Sequence, residues 1–264
     1  MITQIAGIDV HVEGPEGAET IVMVHGWPDT YRLWDKQVEF LKAKYRCIRF
    51  SLPGYEAPQE RRIYTVDEVT ALIRQVVEQL SPGKKVTLMC HDWGCIFGYE
   101  FYMRNQGLVS RLVGVDIGEV RSARFDLTGK QKFYILAYQV WLAIAWKIGG
   151  GLGEWMTRKM ALWVRSKSDP RFIASRMNYP YYLAWFGGAQ SFRRQVQKLE
   201  PACPMLFIYG ERKLFMFHSK RWLEKLNATP GSKAVGFATG HWVMLQAPER
   251  FNEVTGEWLA ATRA

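Results

Sequence analysis

Three short apolar segments, each running into a glycine, constrain the fold of this chain more than any other feature. They are TIVMVHGW at 20–27, RCIRFSLPGY at 46–55 and KVTLMCHDWG at 85–94. Runs of this length and β-branched content are typical of strands buried on both faces of a parallel sheet. Between the second and third, the segment VDEVTALIRQVVEQL at 66–80 repeats apolar residues at helical spacing. The order strand, helix, strand predicts a βαβ unit.

The same alternation continues through most of the remaining chain. A helix is predicted at 96–105, strands at 111–118, 203–210 and 233–238, and helices at 219–227 and 248–262. This order predicts an α/β fold with a doubly wound, mostly parallel sheet. Residues 120–200 interrupt it with Trp- and Tyr-rich stretches at helical spacing and without a strand pattern. We therefore expect a core formed by residues 1–119 and 201–264 and an inserted helical cap, or lid, over 120–200.

Positive charge is concentrated in the predicted cap. The net charge is +10, and residues 120–200 carry 14 Lys and Arg against 4 Asp and Glu, whereas the rest of the chain carries 21 of each. A basic, aromatic segment could contact a membrane surface, and the alternative is a solvated outer face above an apolar inner face. Nucleic-acid binding is not expected. The sequence gives no indication of the oligomeric state.

The N-terminal residues and the cysteines indicate the cellular setting. The start MITQIAGIDVHVEG lacks the basic stretch and continuous apolar run of a secretory signal, so the expected location is cytoplasmic. The longest apolar run, at 134–146, is shorter than the roughly 20 residues that cross a bilayer. The four cysteines do not have zinc-ligand spacing, so neither a structural metal nor disulfides are expected. No cofactor is expected.

Asp92 stands where a strand passes directly into a helix. This position at the centre of a strand-to-helix turn is typical of a nucleophile elbow, which requires small residues two positions away on either side. Cys90 and Gly94 are small, and the chain contains no Gly-x-Ser-x-Gly motif. We predict that Asp92 is a covalent nucleophile, whose attack would give an ester that is hydrolysed in a second step. The alternative is an aspartate that caps the following helix.

Two further segments can complete a catalytic site. His25-Gly26-Trp27-Pro28 follows the first buried strand, where the backbone N–H groups of Trp27 and Trp93 are predicted to form an oxyanion hole. His241, in Thr239-Gly240-His241-Trp242, follows the last strand and is predicted to be the base that activates water. A simple turn at 25–28 and a structural role for His241 are the alternatives.

Taken in order, HGWP, HDWG and GHW resemble the α/β-hydrolase family over essentially the full chain, in particular its epoxide hydrolases and haloalkane dehalogenases. The segments HGWPDT and CHDWGC are most similar to the oxyanion segment and Asp-Trp elbow of epoxide hydrolases. The resemblance implies a helical cap with two tyrosines that donate hydrogen bonds to the epoxide oxygen.

Of these two implied cap tyrosines, Tyr138, followed by Gln139, resembles the first. For the second, this chain has Phe192 where the family often has Tyr. Phenylalanine cannot donate a hydrogen bond, and Tyr179, Tyr181 and Tyr182 are the alternatives.

The acid that orients the base is the largest departure from the family pattern. The family usually places it in a Gly-Glu-x-Asp-like turn after strand 203–210, and this chain reads Gly210-Glu211-Arg212-Lys213. Some haloalkane dehalogenases instead carry a Glu just beyond the preceding strand, at a position that corresponds to Glu119 here. Glu119 is therefore the predicted acid, with Asp116 and Glu211 as alternatives.

These residues together predict hydrolysis of a small apolar epoxide to a vicinal diol. Asp92 would open the ring, Tyr138 would protonate or hydrogen-bond the alkoxide, and water activated by His241 with Glu119 would cleave the ester. Haloalkane dehalogenation with the same nucleophile is the first alternative, although Trp27 stands where many dehalogenases have a halide-binding Asn. The second alternative is a non-catalytic binding protein on a hydrolase scaffold.

Overall fold

A computed structural model describes residues 1–57, 59–119, 121 and 126–263, apart from the side chain of residue 193. Its centre is a sheet of eight strands: β1 Ile2–Ile5, β2 Ile8–Glu13, β3 Thr20–Val24, β4 Arg46–Phe50, β5 Val86–His91, β6 Val109–Val115, β7 Met205–Gly210 and β8 Lys233–Phe237. Their order is β1-β2-β4-β3-β5-β6-β7-β8. The pairs β1–β2 and β2–β4 are antiparallel and the other pairs are parallel. The predicted α/β fold with a mostly parallel sheet is confirmed.

Helices connect and cover these strands. They are α1 Asp35–Leu41, α2 Val66–Leu80, α3 Trp93–Arg104, α4 Gly129–Ile148, α5 Gly150–Trp163, α6 Tyr179–Phe186, α7 Phe192–Gln195, α8 Lys220–Asn227, α9 Val243–Gln246 and α10 Pro248–Ala261. Capping boxes begin two of them: Thr65 and Glu68 exchange hydrogen bonds at the start of α2, and Thr128 and Gln131 do so at the start of α4. Each box satisfies backbone N–H groups that a helix terminus leaves without partners.

The core lies on both faces of the sheet, as a doubly wound fold requires. Along β3, Val22 and Val24 pack in one apolar cluster with residues of α2 and α3. Ile21 and Met23 point the other way, into a second cluster with residues of α1 and α10. Alternate residues of a strand face opposite sides of the sheet, and here both sides are covered. This explains why the strand sequences are apolar throughout rather than alternating with polar residues.

The segment between β6 and β7 differs from the rest of the chain. Its described residues, 126–200, contain α4 to α7 and turns but no strand. We call this stretch the helical segment; its division from the core as a separate cap stays a prediction. Among the described residues, no helix combines the length and apolar character needed to cross a bilayer.

Candidate active site

Asp92 lies in a strained turn between β5 and α3. Its backbone φ of 54° and ψ of −124° fall in a region that residues other than glycine rarely adopt. A Cβ atom at position 94 would collide with the carbonyl oxygens of Val24 and His25, which explains the glycine there. The side chain of Cys90 has room because Gly98 lies opposite its sulfur. The turn therefore has the crowding expected of a nucleophile elbow.

The Asp92 carboxylate occupies the predicted oxyanion hole. The backbone N–H of Trp27 donates to Asp92 Oδ1 at 2.7 Å, and the nearby backbone N–H of Trp93 helps to lower the pKa of the carboxylate. A Cβ at Gly26 would lie 2.5 Å from both Asp92 Oδ1 and the Trp93 nitrogen, so glycine permits this close approach. The Trp27 contact fixes Oδ1, and Oδ2 is the oxygen turned away from the Trp27 N–H.

The second oxygen of Asp92 faces His241. The Nε2 atom of His241 lies 3.3 Å from Asp92 Oδ2, and its Nδ1 atom hydrogen-bonds Asp116 Oδ2. Asp116 is fully buried, follows directly after β6 and accepts a further hydrogen bond from the backbone N–H of Gly210 at 2.9 Å. Asp92, His241 and Asp116 thus form a continuous hydrogen-bonding line from the cavity to the protein interior.

The contact predicted between Glu119 and His241 is not the one that the structure contains. Both ring nitrogens of His241 face other carboxylates, and Asp116, one of the two alternatives, holds Nδ1. Glu119 is buried at the cavity wall and accepts a hydrogen bond from the backbone N–H of Arg121 at 2.9 Å. Glu211, the other alternative, is exposed and lies against Gly236.

The correction has a local cause at the end of β6. The apolar sequence around Asp116 predicted a strand through residue 118, but the strand ends at Val115. Asp116 then adopts a left-handed conformation with φ of 67° and carries its side chain to the β7 and His241 loops. The carboxylate that contacts His241 Nδ1 thus also lies just beyond β6, three positions before Glu119.

Lys213 lies in the turn after β7, at the site of the aspartate in the family pattern, and it forms an ion pair with Asp116. Its Nζ lies 2.6 Å from Asp116 Oδ1, and its side chain is only 9% exposed. Burial by itself would raise the pKa of Asp116, but the charges of Lys213 and His241 hold that pKa well below its usual range. Asp116 is therefore an ionised group between two cationic partners.

The two carboxylates around His241 determine its protonation. Burial would lower the pKa of His241, but Asp116 and Asp92 outweigh this effect and raise it to about 9. Burial would also raise the pKa of Asp92. The hydrogen bond and the charge of His241 outweigh this effect, so the pKa of Asp92 lies below its usual value. With Asp92 ionised, the structure therefore favours a protonated His241 at neutral pH.

An apolar cavity of about 540 Å³ opens above Asp92. Its walls come mainly from α3, the residues after β6, and the helical segment: Trp93, Ile96, Tyr99, Ile117, Leu127, Ile135, Tyr138, Gln139, Tyr181, Ala184, Phe192, Val196 and Leu199. The rings of Tyr138 and Tyr181 lie 6.1 Å apart and nearly perpendicular. Burial raises the pKa of both phenols, which therefore remain protonated hydrogen-bond donors. Tyr181, one of the three alternatives for the second tyrosine, is thus the one at the cavity.

Polar contacts that the sequence did not reveal connect the helical segment to the residues around Trp27. The indole N–H of Trp27 donates to Asn178 Oδ1 at 2.7 Å. The buried carboxylate of Asp29 accepts hydrogen bonds from the Ser168 hydroxyl and, at 2.9 Å, from the Trp242 indole. Burial, partly offset by these two donors, raises the pKa of Asp29 to about 6. The only signal in the sequence was a charged residue within HGWPDT.

Known proteins resemble the chain in both sequence and fold. Residues 21–254 match the model of the alpha/beta hydrolase family. The chain is 36% identical over 115 residues to epoxide hydrolase 2 of Caenorhabditis elegans, covering 42% of this chain and 32% of that protein. It is 30% identical over 155 residues to cis-3-alkyl-4-alkyloxetan-2-one decarboxylase of Xanthomonas campestris, covering 55% and 48%. These matches span only about a third to a half of the relatives' own length.

The fold is also similar to solved structures. An epoxide hydrolase of Bacillus megaterium in complex with an inhibitor superposes with a TM-score of 0.73, over 98% of this chain and 100% of that chain. The sequence identity is 19%, so this similarity concerns the fold alone.

Proposed function

The chain belongs to the alpha/beta hydrolase family, and from this premise we propose that it opens epoxides to vicinal diols through an ester on Asp92. The observation that carries the proposal is the pair of phenols in the wall of a cavity that contains Asp92, those of the buried Tyr181 and the half-buried Tyr138. An epoxide needs a carboxylate on one side and a proton donor for its oxygen on the other. The apolar wall favours a small apolar substrate.

In the first step, Asp92 Oδ2 attacks a ring carbon while Oδ1 stays on the N–H groups of Trp27 and Trp93. A carbon–oxygen bond of the ring breaks as the new ester bond forms. The oxygen that leaves the carbon takes a proton from the hydroxyl of Tyr138 or Tyr181. The product of this step is a hydroxy ester in which the charge of Asp92 has disappeared. The phenolate left behind regains its proton as His241, protonated while Asp92 is ionised, becomes neutral.

In the second step, His241 takes a proton from a water molecule that attacks the ester carbon. Negative charge develops on Oδ1, which the Trp27 N–H already contacts, so this stabilising donor is in place before the reaction, and the Trp93 N–H would be the second donor. Asp116 keeps Nδ1 of His241 protonated and stabilises the imidazolium. The imidazolium then gives this proton to the departing alkoxide, which releases the diol. Asp92, freed as the carboxylic acid, passes its proton to His241, which restores the ionised aspartate and the protonated histidine.

The indole groups near Asp92 argue against halide as the leaving group. Halide release calls for N–H donors aimed at the departing ion. The indole N–H of Trp27 is instead directed to Asn178 at 2.7 Å, and the Trp93 ring packs edge-on against Tyr181, with 5.1 Å between ring centroids. The phenols of Tyr138 and Tyr181 line the cavity and are donors that suit an alkoxide.

A product assay tests the proposal against its alternatives. Terminal epoxides, haloalkanes of the same carbon skeleton and a cis-substituted β-lactone are incubated with the protein, and diol, halide and alkene are quantified. We expect diol from at least one epoxide and neither halide nor alkene. Halide release or decarboxylation of the lactone without diol would assign a different reaction to the same nucleophile. No covalent turnover of any of them would favour a binding protein.

Replacing Tyr138 by Phe should slow ring opening. The change removes one hydroxyl donor in a dry cavity, which typically costs roughly 10²- to 10³-fold in rate. Single-turnover measurements of ester formation on Asp92 isolate this step. Tyr182→Phe is the matched control, because Tyr182 packs against Trp146 and Phe186 and does not line the cavity. Equal rates of ester formation in the two variants would remove Tyr138 from the mechanism.

Replacing Lys213 by Met should shift the pH dependence of ester hydrolysis to higher pH. The ester removes one of the two negative charges that raise the pKa of His241, so this pKa falls below about 9 during catalysis. Lys213 lowers it further by neutralising Asp116, and without Lys213 it should rise by roughly one pH unit. Because only neutral His241 can accept a proton, the variant should lose activity as the pH falls through a higher value than in the wild type.

Pre-steady-state measurement of ester decay across pH tests this shift. Lys213→Arg retains the charge and is expected to keep the wild-type profile. An unshifted profile in Lys213→Met would show that the lysine does not act on the base.

A further inference from the structure

The side of α4 that faces solvent is apolar. Phe133, Leu136, Trp141, Ile144 and Ile148 recur at helical spacing on this side and are 36% to 64% exposed. On a helix at a protein surface, the solvent side is ordinarily polar and the apolar side is buried. In α4 the solvent side is apolar as well as the buried side, and this requires an explanation.

The neighbouring helix α5 extends the same surface. Leu152, Trp155, Leu162 and Trp163 are 50% to 68% exposed. The rings of Trp141 and Trp155 are 6.4 Å apart, and the Trp141 indole donates to the backbone carbonyl of Met156 at 3.0 Å. The exposed residues of α4 and α5 thus form one continuous surface, which we call the apolar face. Patches of clustered large apolar residues on a soluble domain typically mark an interaction site.

Positive charges accompany the apolar face. They are Lys130, Lys132 and Lys147 on α4, Arg158 and Lys159 on α5, and Arg165 and Lys167 just after it. In the described part of 126–200 the ion pairs are Arg171–Asp169 and Lys198–Glu200, so none of these seven cations is neutralised by one. The carboxylate of Glu154, on α5, is turned to the backbone and hydroxyl of Ser175. A shallow groove on α5 combines Trp155 and Leu162 with Arg158 and Lys159.

We propose that the apolar face docks on an anionic membrane surface. Tryptophan, phenylalanine and aliphatic side chains beside lysine and arginine are the composition of helices that lie in the interfacial plane of a bilayer. The apolar residues would enter the boundary between headgroups and acyl chains, and the cations would contact lipid phosphates. The same face is a poor match for a second copy of the chain, because seven like charges would be brought together.

The exposed apolar residues distinguish between the two expectations that the sequence allowed for the outer face of residues 120–200. The positive charge of residues 120–200 allowed either a solvated outer face or contact with an anionic surface. The apolar character of the exposed sides of α4 and α5 does not fit a solvated outer face. None of the nine residues of the apolar face lines the cavity, so docking is independent of the proposed epoxide chemistry.

Vesicle co-sedimentation tests the proposal with the intact protein. Vesicles of phosphatidylcholine with phosphatidylglycerol are compared with vesicles of phosphatidylcholine alone, at low and high salt. We expect binding to the anionic vesicles, weakening as salt rises, with a blue shift of tryptophan fluorescence on binding. Two double variants, Trp155→Gln with Leu162→Gln and Arg158→Gln with Lys159→Gln, should each weaken binding roughly tenfold or more.

The controls match these variants in chemistry but lie elsewhere. Phe40→Gln removes a 48% exposed aromatic ring on α1, and Lys36→Gln removes a charge on the same helix. Both should bind vesicles as the wild type does, and thermal melts verify that every variant is folded. Equal binding to the two kinds of vesicle, or wild-type binding by both double variants, would overturn the proposal. It would equally be overturned if the wild type binds no vesicles and the double variants instead abolish a dimer seen in sedimentation.

Discussion

Replacing His241 by Gln is expected to stop turnover while leaving an ester on Asp92. Glutamine cannot accept the proton of water, so the second step loses a general base whose contribution is typically 10²- to 10⁴-fold. The first step uses Asp92 and the phenols and should continue. Intact-mass analysis after exposure to an epoxide should show the protein heavier by the mass of one substrate molecule.

Two comparisons make this result decisive. Asp92→Asn removes the nucleophile and should give neither adduct nor diol, and peptide mapping of the His241→Gln adduct should place the added mass on Asp92. An unmodified His241→Gln variant, under conditions in which the wild type turns over, would contradict the two-step covalent route. Asp116 and Lys213 would then still form a buried ion pair, but this pair would have no part in ester hydrolysis.

Asp116→Asn should depress ester hydrolysis far more than Glu119→Gln. Asn at 116 cannot fix the tautomer of His241 or stabilise the imidazolium, and loss of the aspartate in the Ser-His-Asp enzymes lowers kcat by about 10⁴-fold. Glu119 contacts the backbone of Arg121 and neither ring nitrogen of His241. Decay of the Asp92 ester, followed by mass after rapid quenching, measures the affected step directly.

Lys213 affects the interpretation of Asp116→Asn, and a second substitution at Lys213 provides the control. Asp116→Asn leaves Lys213 without its carboxylate in a site where its side chain is 9% exposed, so the fold itself could suffer. The double variant Asp116→Asn with Lys213→Met removes this charge and should show the same slow ester decay in a stably folded protein. If Glu119→Gln were as slow as Asp116→Asn, the acid would act from Glu119 in a conformation other than the one described.

The parts of the fold and site that follow from local sequence could be predicted. Continuous apolar runs predict the buried strands, and the carboxyl ends of parallel strands lie at the same edge of the sheet. Asp92 follows β5 directly, and Trp27 and His241 lie within four residues of the ends of β3 and β8, so their convergence follows from topology. No knowledge of distant contacts was needed for these three residues.

The identity of the acid depended on contacts that are distant in sequence. Whether β6 ends at residue 115 or 118 is decided by the left-handed backbone of Asp116, its hydrogen bond with Gly210 and its ion pair with Lys213, which lies 97 positions away. The local sequence pattern contains no information on these long-range contacts, so it could not predict where β6 ends. For the same reason the sequence did not show why Lys213 occupies the turn after β7. In the structure, Lys213 is the ion-pair partner of Asp116.

The helical segment was the least predictable part of the chain. Helical spacing of apolar residues does not indicate which side of a helix is buried when both sides are apolar, as in α4. The sequence also did not indicate that Asn178 and Ser168, from this segment, would bind Trp27 and Asp29. Side chains that meet across more than a hundred positions leave no periodic signal.

The hydrogen bonds of Trp27 and Asp29 to the helical segment couple any outward movement of this segment to the residues around Asp92. A route into the cavity that swings the segment outward must break the contacts of Asn178 and Ser168. The same motion would remove the support that Asn178 and Ser168 give to Trp27, whose backbone N–H contacts Asp92, and to Asp29, which also accepts from Trp242 next to His241. Substrate entry and product release would then belong to one arrangement of the segment, and the chemical steps to the arrangement in which these contacts are made.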